Sequence, residues 1–208
     1  MSKVEIPYIQ SSHSKDVFVF SIEGCNGAGK TTLMNRYMND HLDTECRLCV
    51  PEIYQTAKEM KHFMLFESSQ LCSALYYLGG AVEVFHNHNA NYSKVLFDRS
   101  IWSTFAAAYA KDKSIMPVLF NCLMAIKNQV FLPNLIIVLD ATFETCKSRS
   151  SKKSNGGEFD KDEFDAFSKK REFYNLLKEA GYPVFFIDVN ERSAEEVYKE
   201  FLNVLQNI

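Results

Sequence analysis

The sequence predicts an α/β fold: a five-stranded, parallel, doubly wound sheet with helices on both faces and a lid segment. Two observations carry that prediction. Short apolar runs recur between helical patterns along the chain, and the clearest of them are continuous rather than alternating, as strands buried on both faces require. The first run, residues 17–22, leads into Gly24-Cys25-Asn26-Gly27-Ala28-Gly29-Lys30-Thr31, which fits G-x-x-x-x-G-K-[ST] at every defined position. That motif narrows the class to a P-loop NTPase.

Composition removes several alternatives. With 23 Lys+Arg against 26 Asp+Glu, the net charge of −3 supplies no basic field for a nucleic acid polymer or a membrane surface. Any phosphate must therefore be held by local groups. No apolar run approaches a membrane span, and the polar first residues lack a signal-peptide core, so a cytoplasmic protein is expected. At 208 residues the length suits a loose leader over 1–15 and one domain over 16–208. Six scattered cysteines include one close pair, Cys46-x-x-Cys49, without the second pair that a metal site needs, so reduced thiols are expected.

The elements follow in order. After the glycine-rich loop a helix is expected over 30–39, with Leu33, Met34, Tyr37 and Met38 on its apolar stripe. A second strand is placed at 47–50, stopped by Pro51, which leaves Glu52 just beyond a strand end. Leu71, Leu75, Leu78, Val82 and Phe85 recur at helical spacing and predict a helix over 67–88, interrupted in pattern by Gly79-Gly80. Residues 93–98 read as a third strand, with Arg99 and Ser100 past its end. Trp102, Phe105, Ala106 and Tyr109 begin another helix, and residues 117–130 make a further one.

Residues 134–140 form the fourth strand, followed by a helix running toward Arg149. Segment 149–159 is polar, carries Gly156-Gly157, and contains too little apolar surface to build core. Asp160 with Glu163 signals the next helix start, Phe164, Phe167, Tyr174 and Leu177 supply its inner face, and Gly181 ends it before Pro183. Residues 184–188 are the fifth strand and 193–206 the last helix.

The loop motif states its own chemistry. Gly24, Gly27 and Gly29 let bare backbone approach a triphosphate, so Gly24, Cys25, Asn26, Gly27, Ala28 and Gly29 cradle ATP through backbone N–H groups. Lys30 opens the helix and brings its ammonium and the positive helix end to the β and γ phosphates. Thr31 ligates Mg²⁺, and Thr32 completes the cofactor-binding set. In open parallel sheets ligands sit beyond the carboxyl strand ends, where this chain also places Glu52, Asp98-Arg99-Ser100 and Asp140. Asp98 can hold Mg²⁺ through water, and the Arg99 fork matches phosphate oxygens, so phosphoryl transfer is the chemistry these residues suit. Taken away from the loop, Asp98-Arg99 would read as an ordinary ion pair or turn.

IEGCNGAGKTT, FDRSIWSTFAAAYA, LDATFETCKSR, a basic glycine-containing segment and KKREFYNLL together resemble the thymidylate kinase superfamily with its deoxynucleoside kinase relatives, over about residues 17–205. The resemblance implies an ATP- and Mg²⁺-dependent kinase, with Asp98 near the metal and Arg99 near the nucleotide phosphate. It implies a lid over 149–159 in which Arg149, Lys152 and Lys153 close on ATP, the lysines otherwise serving as plain surface. It implies phosphorylation of a nucleoside monophosphate, dTMP to dTDP. Where thymidylate kinases carry an arginine-glutamate-proline-glycine type segment, this chain has Cys49-Val50-Pro51-Glu52-Ile53, and Glu52 matches the glutamate that serves deoxynucleoside kinases as base for a 5′-hydroxyl. Both families place an arginine where this chain reads Glu67-Ser68-Ser69-Gln70-Leu71. Deoxynucleoside phosphorylation is thus the near alternative, and a non-catalytic ATP-binding regulatory module is the distant one. The resemblance also implies a homodimer through the Leu71 to Phe85 stripe, which would equally serve an ordinary core.

Overall fold

In the computed structural model β1 (Phe18–Glu23) lies at the centre of a five-stranded parallel sheet, and residues 4–10, 17–49, 60, 62–89, 91–151 and 161–207 are described. The other strands are β2 (Thr44–Leu48), β3 (Lys94–Asp98), β4 (Leu135–Asp140) and β5 (Val184–Asp188), in the order β2-β3-β1-β4-β5. The helices are α1 (Lys30–Asp40), α2 (Gln70–His86), α3 (Ile101–Lys111), α4 (Met116–Ile126), α5 (Phe143–Ser151), α6 (Lys161–Glu179) and α7 (Ala194–Gln206). A π-helical turn, Phe63–Glu67, precedes α2. The expected fold class is thus the observed one.

The period of two divides the sheet residues between two cores. Val19, Val95, Phe97, Ile136 and Val138 face α2, α3, α4 and α6, while Phe20, Ile22, Leu96, Ile137 and Leu139 face α1 and α7. On the second side Tyr37 sets its ring edge against Phe20 at 5.5 Å and against Phe201 at 5.4 Å. On the first, Phe173 of α6 is fully buried and meets Tyr109 of α3 at 5.6 Å between ring centres. Both faces are therefore covered, which is why these strands carry so few polar residues.

Several boundaries move, each for a physical reason. β2 is a Thr-Glu-Cys-Arg-Leu edge strand rather than residues 47–50, because its ladder follows β3 from Thr44 opposite Lys94 to Leu48 opposite Asp98, where β3 itself ends. Pro51 and Glu52 lie outside the described residues. α2 runs unbroken through Gly79-Gly80, but its inner face is Ala74, Leu78, Ala81 and Val84, and Leu75 is 43% exposed. α4 stops at Ile126, and the turn that follows lets Val130 and Leu132 enter the core without helix. On α6 Tyr174 is in the core as expected, but Phe173 joins it in place of Phe164, which is 45% exposed. The cap at Asp160 lies outside the described residues.

Residues 4–10 pack against the turn before β5. Ile9 is buried, its N–H donates to the Tyr182 hydroxyl at 2.8 Å, and that hydroxyl donates to the Pro7 carbonyl at 2.8 Å. No helix among the described residues is long and apolar enough to cross a membrane.

Candidate active site

β1 has β3 on one side and β4 on the other, so the crevice where the chain reverses direction across the sheet opens at the carboxyl end of β1. The loop of residues 24–29 fills that position. Two of its glycines are forced. At Gly24, φ +128°, an added Cβ would lie 2.8 Å from the Leu139 carbonyl oxygen, and at Gly27, φ +85°, it would lie 2.3 Å from that of Cys146. The loop is thus pressed onto β4 and α5 with no room for a side chain.

Lys30 begins α1 and folds back over the loop, its ammonium donating to the Gly24 carbonyl at 3.0 Å and the Cys25 carbonyl at 2.8 Å. Burial, reinforced by the Arg99 charge, pushes its pKa from 10.5 down to about 7, against the attraction of Asp98. A cation so poorly solvated is well disposed toward phosphate. Cys25 is pushed the other way, upward by burial, so the loop presents a neutral thiol and no covalent nucleophile near pH 7.

Asp98 and Arg99 stand across the crevice at the end of β3. Asp98 Oδ1 is buried and finds no hydrogen-bond partner among the described residues, which suits an acid whose partner is a hydrated cation. Arg99 adopts φ +66°, which costs an ordinary residue about 1–2 kcal/mol. The Arg99 N–H is held by the Ile22 carbonyl at 3.2 Å, and its guanidinium donates to Asn26 Oδ1 of the loop at 2.9 Å. The left-handed turn is what swings the fork toward the loop.

A cleft of 810 Å³ joins these groups to a groove between α2, α3 and α6. Gln70, Ser73 and Tyr77 come from α2, Thr104 and Lys111 from α3, and Lys170 and Arg171 from α6. Asp140, the acid at the end of β4, is already engaged: Arg171 grips both its oxygens, at 2.8 and 2.7 Å. Arg149 does not line the cleft, and its guanidinium donates to the Val189 carbonyl at 2.9 Å instead. Thr31 and Thr32 occupy the first turn of α1, while Glu52, Lys152 and Lys153 lie outside the described residues.

Three groups at the site escape a reading of the sequence. Glu23 is fully buried at the end of β1, accepting from the Ser100 N–H and hydroxyl, both at 2.7 Å, from Tyr174 OH at 2.9 Å, and from the Ser103 hydroxyl. An acid closing an otherwise apolar strand is the available signal for it. Tyr174 reads from the sequence as packing alone, and Arg171 as one basic residue among three in KKR.

A parallel sheet with a glycine-rich loop at its switch point, a helix-opening lysine, and an acid and arginine across the crevice define a P-loop phosphotransferase. The family model for thymidylate kinase matches residues 22–201, and the chain belongs to that family of nucleotide and nucleoside kinases. No curated protein matches the chain. Among solved structures it is similar to thymidylate kinase from Candida albicans, with TM-score 0.69, 16% identity and 92% of each chain covered. It is similar to deoxyadenosine kinase from M. mycoides with TM-score 0.67 at 18% identity, covering 92% of this chain and 100% of that one. Thymidylate kinase from Ehrlichia chaffeensis gives TM-score 0.63 at 18% identity, over 91% of this chain and 98% of that one. At such identities these likenesses carry the fold.

Proposed function

We propose that this kinase transfers the γ-phosphoryl group of ATP to a nucleoside monophosphate, dTMP-like, with Mg²⁺. The observation that carries this reading is Arg99, clamped at φ +66° with its fork on Asn26, on the wall shared by the loop and the α2–α3–α6 groove. A fixed cation at that junction fits an acceptor that arrives with its own phosphate. A hydroxyl acceptor calls for a general base, yet Asp140 is gripped by Arg171 and Glu23 is saturated with donors, while Asp98, whose Oδ1 has no partner among the described residues, is given to Mg²⁺ in this reading.

The remaining roles follow from position. Lys30 exchanges its two carbonyl partners for β and γ phosphate oxygens, a stronger charge-assisted pairing. Thr31 and the orphaned Asp98 suit Mg²⁺, which supplies charge neutralisation at the transferring group. Backbone N–H groups from residue 24 to 32 suit the ATP phosphates, and segment 149–159 is assigned as the lid, with Lys153 as a cationic contributor; Arg149 would have to leave the Val189 carbonyl to join it. Glu52 orients the acceptor or the metal shell.

A coupled ADP-release assay with Mg²⁺ across dTMP, other nucleoside monophosphates and deoxynucleosides tests the acceptor. Monophosphate turnover, led by dTMP, is expected. Turnover of deoxynucleosides alone would transfer the proposal to 5′-hydroxyl phosphorylation, and turnover of none would end it.

A further inference from the structure

Glu23 is the most completely satisfied side chain of the site, and the roles assigned above leave it without one. Its carboxylate accepts the Ser100 N–H and Ser100 hydroxyl on Oε1 and the Ser103 and Tyr174 hydroxyls on Oε2. Four inward donors occupy both oxygens and leave neither free for a substrate. Glu23 is also absent from the cleft walls, so it acts through what it holds.

What it holds comes from separate elements. Ser100 follows Arg99 and caps α3, accepting the Trp102 N–H at 3.3 Å, while the N–H of Arg99 itself is fixed by Ile22, one residue before Glu23. The Asp98-Arg99-Ser100 turn is therefore pinned twice to the end of β1, at the root of the phosphate loop. Tyr174 belongs to α6, where Lys170 and Arg171 lie one turn earlier on the cleft wall. Burial pushes the Tyr174 hydroxyl well above its usual range, so it keeps the proton it donates.

We infer that Glu23 is the positioning residue of this site: its buried carboxylate fixes the Asp98-Arg99-Ser100 turn against the phosphate loop and ties α6 to the same point. The inference rests on the phosphoryl-transfer reading, since its kinetic consequence is alignment of Asp98 and Arg99. A small misplacement of such groups is worth about 10²-fold in rate.

Glu23→Gln is the test, because the amide oxygen can still take the Ser100 pair while its NH₂ faces hydroxyls that must reverse. With the acceptor that the wild type uses best, kcat is expected to fall about 10²-fold while KM for ATP stays within about threefold. Amide hydrogen exchange over residues 97–104, measured without nucleotide, is expected to speed up about tenfold. A kcat within about threefold of wild type overturns the inference. If Glu23→Gln does not fold, Ser103→Ala removes one of the four donors, and unchanged kcat together with unchanged exchange in that variant overturns it too. If the wild type phosphorylates nothing, the kinase proposal fails on its own, and unchanged exchange over 97–104 in Glu23→Gln overturns the positioning role independently.

Discussion

Lys30→Met removes a charge that the fold holds at a cost, and the cost is legible as a pH dependence. The ammonium has an ordinary pKa of 10.5 and sits at about 7 in the folded protein, with burial as the largest cause. Between those values the unfolded chain binds more protons than the folded one, so stability rises with pH through this window. Integrating the linkage relation, the group destabilises the fold by about 4 kcal/mol at pH 7 and by about 2 kcal/mol at pH 9, so wild type relative to Lys30→Met should gain about 2 kcal/mol over that range. The thioether that replaces the ammonium in Lys30→Met cannot titrate. The absolute gap between the two proteins also contains the two hydrogen bonds to Gly24 and Cys25, but its change with pH does not. The buried thiol of Cys49, pushed up to about 12 without any contribution from Lys30, opposes the trend in both proteins and cancels in the difference. The assay is urea unfolding of both proteins at pH 7, 8 and 9, nucleotide-free and reduced. Parallel stability curves would refute the reasoning. Turnover in Lys30→Met should fall by at least about 10²- to 10³-fold, the usual worth of one group aimed at developing charge.

Gly27→Ala should destabilise the protein by at least about 2 kcal/mol and weaken ATP binding, because its Cβ would meet the Cys146 carbonyl oxygen at 2.3 Å in a left-handed backbone; an unchanged urea midpoint would contradict it. Phe173→Ala should cost about 3–5 kcal/mol and Phe164→Ala about 1 kcal/mol or less; denaturation midpoints in the reverse order would show the α6 face to be wrong. Arg99→Ala should lower kcat/KM for a monophosphate acceptor by about 10²-fold, with Glu52→Gln acting moderately, whereas a hydroxyl acceptor would make Glu52→Gln the severe variant, at about 10²- to 10⁴-fold. Unchanged kcat/KM in Arg99→Ala removes the monophosphate assignment.

The sheet and the loop are readable because their signals are local. Residues 184–188 reproduce β5, and Leu135–Asp140 differs by one residue from the strand read off the sequence. β2 is misplaced by the sequence because an edge strand of Thr-Glu-Cys-Arg-Leu lacks the apolar run that marks its neighbours, and its end is set by pairing with β3 rather than by Pro51. Leu75 and Phe164 fit helical spacing yet face outward, because spacing fixes which residues share a face but not which face meets the core. Glu23 is missed for a related reason: its partners Ser100, Ser103 and Tyr174 stand 77, 80 and 151 residues away.

Four of the places where this chain breaks the local rules share one location. A lysine is buried at the start of α1, an arginine takes a left-handed φ, an acid is buried at the end of an apolar strand, and another acid carries an orphaned oxygen. Each would be an error in a site that had only to fold. All four lie at the carboxyl ends of β1 and β3 or in the first turn of α1. In the proposed kinase reading their charges divide: Lys30 and Arg99 would oppose phosphate, Asp98 would oppose a cation, and Glu23 neither. Glu23 instead meets only protein donors, three of them hydroxyls and one a backbone N–H. That distinction separates a group that answers the ligand from one that aims the groups that do, and the two kinds of substitution should part accordingly. Lys30 variants lose the charge at the reacting centre, whereas Glu23 variants keep every such charge and lose its alignment.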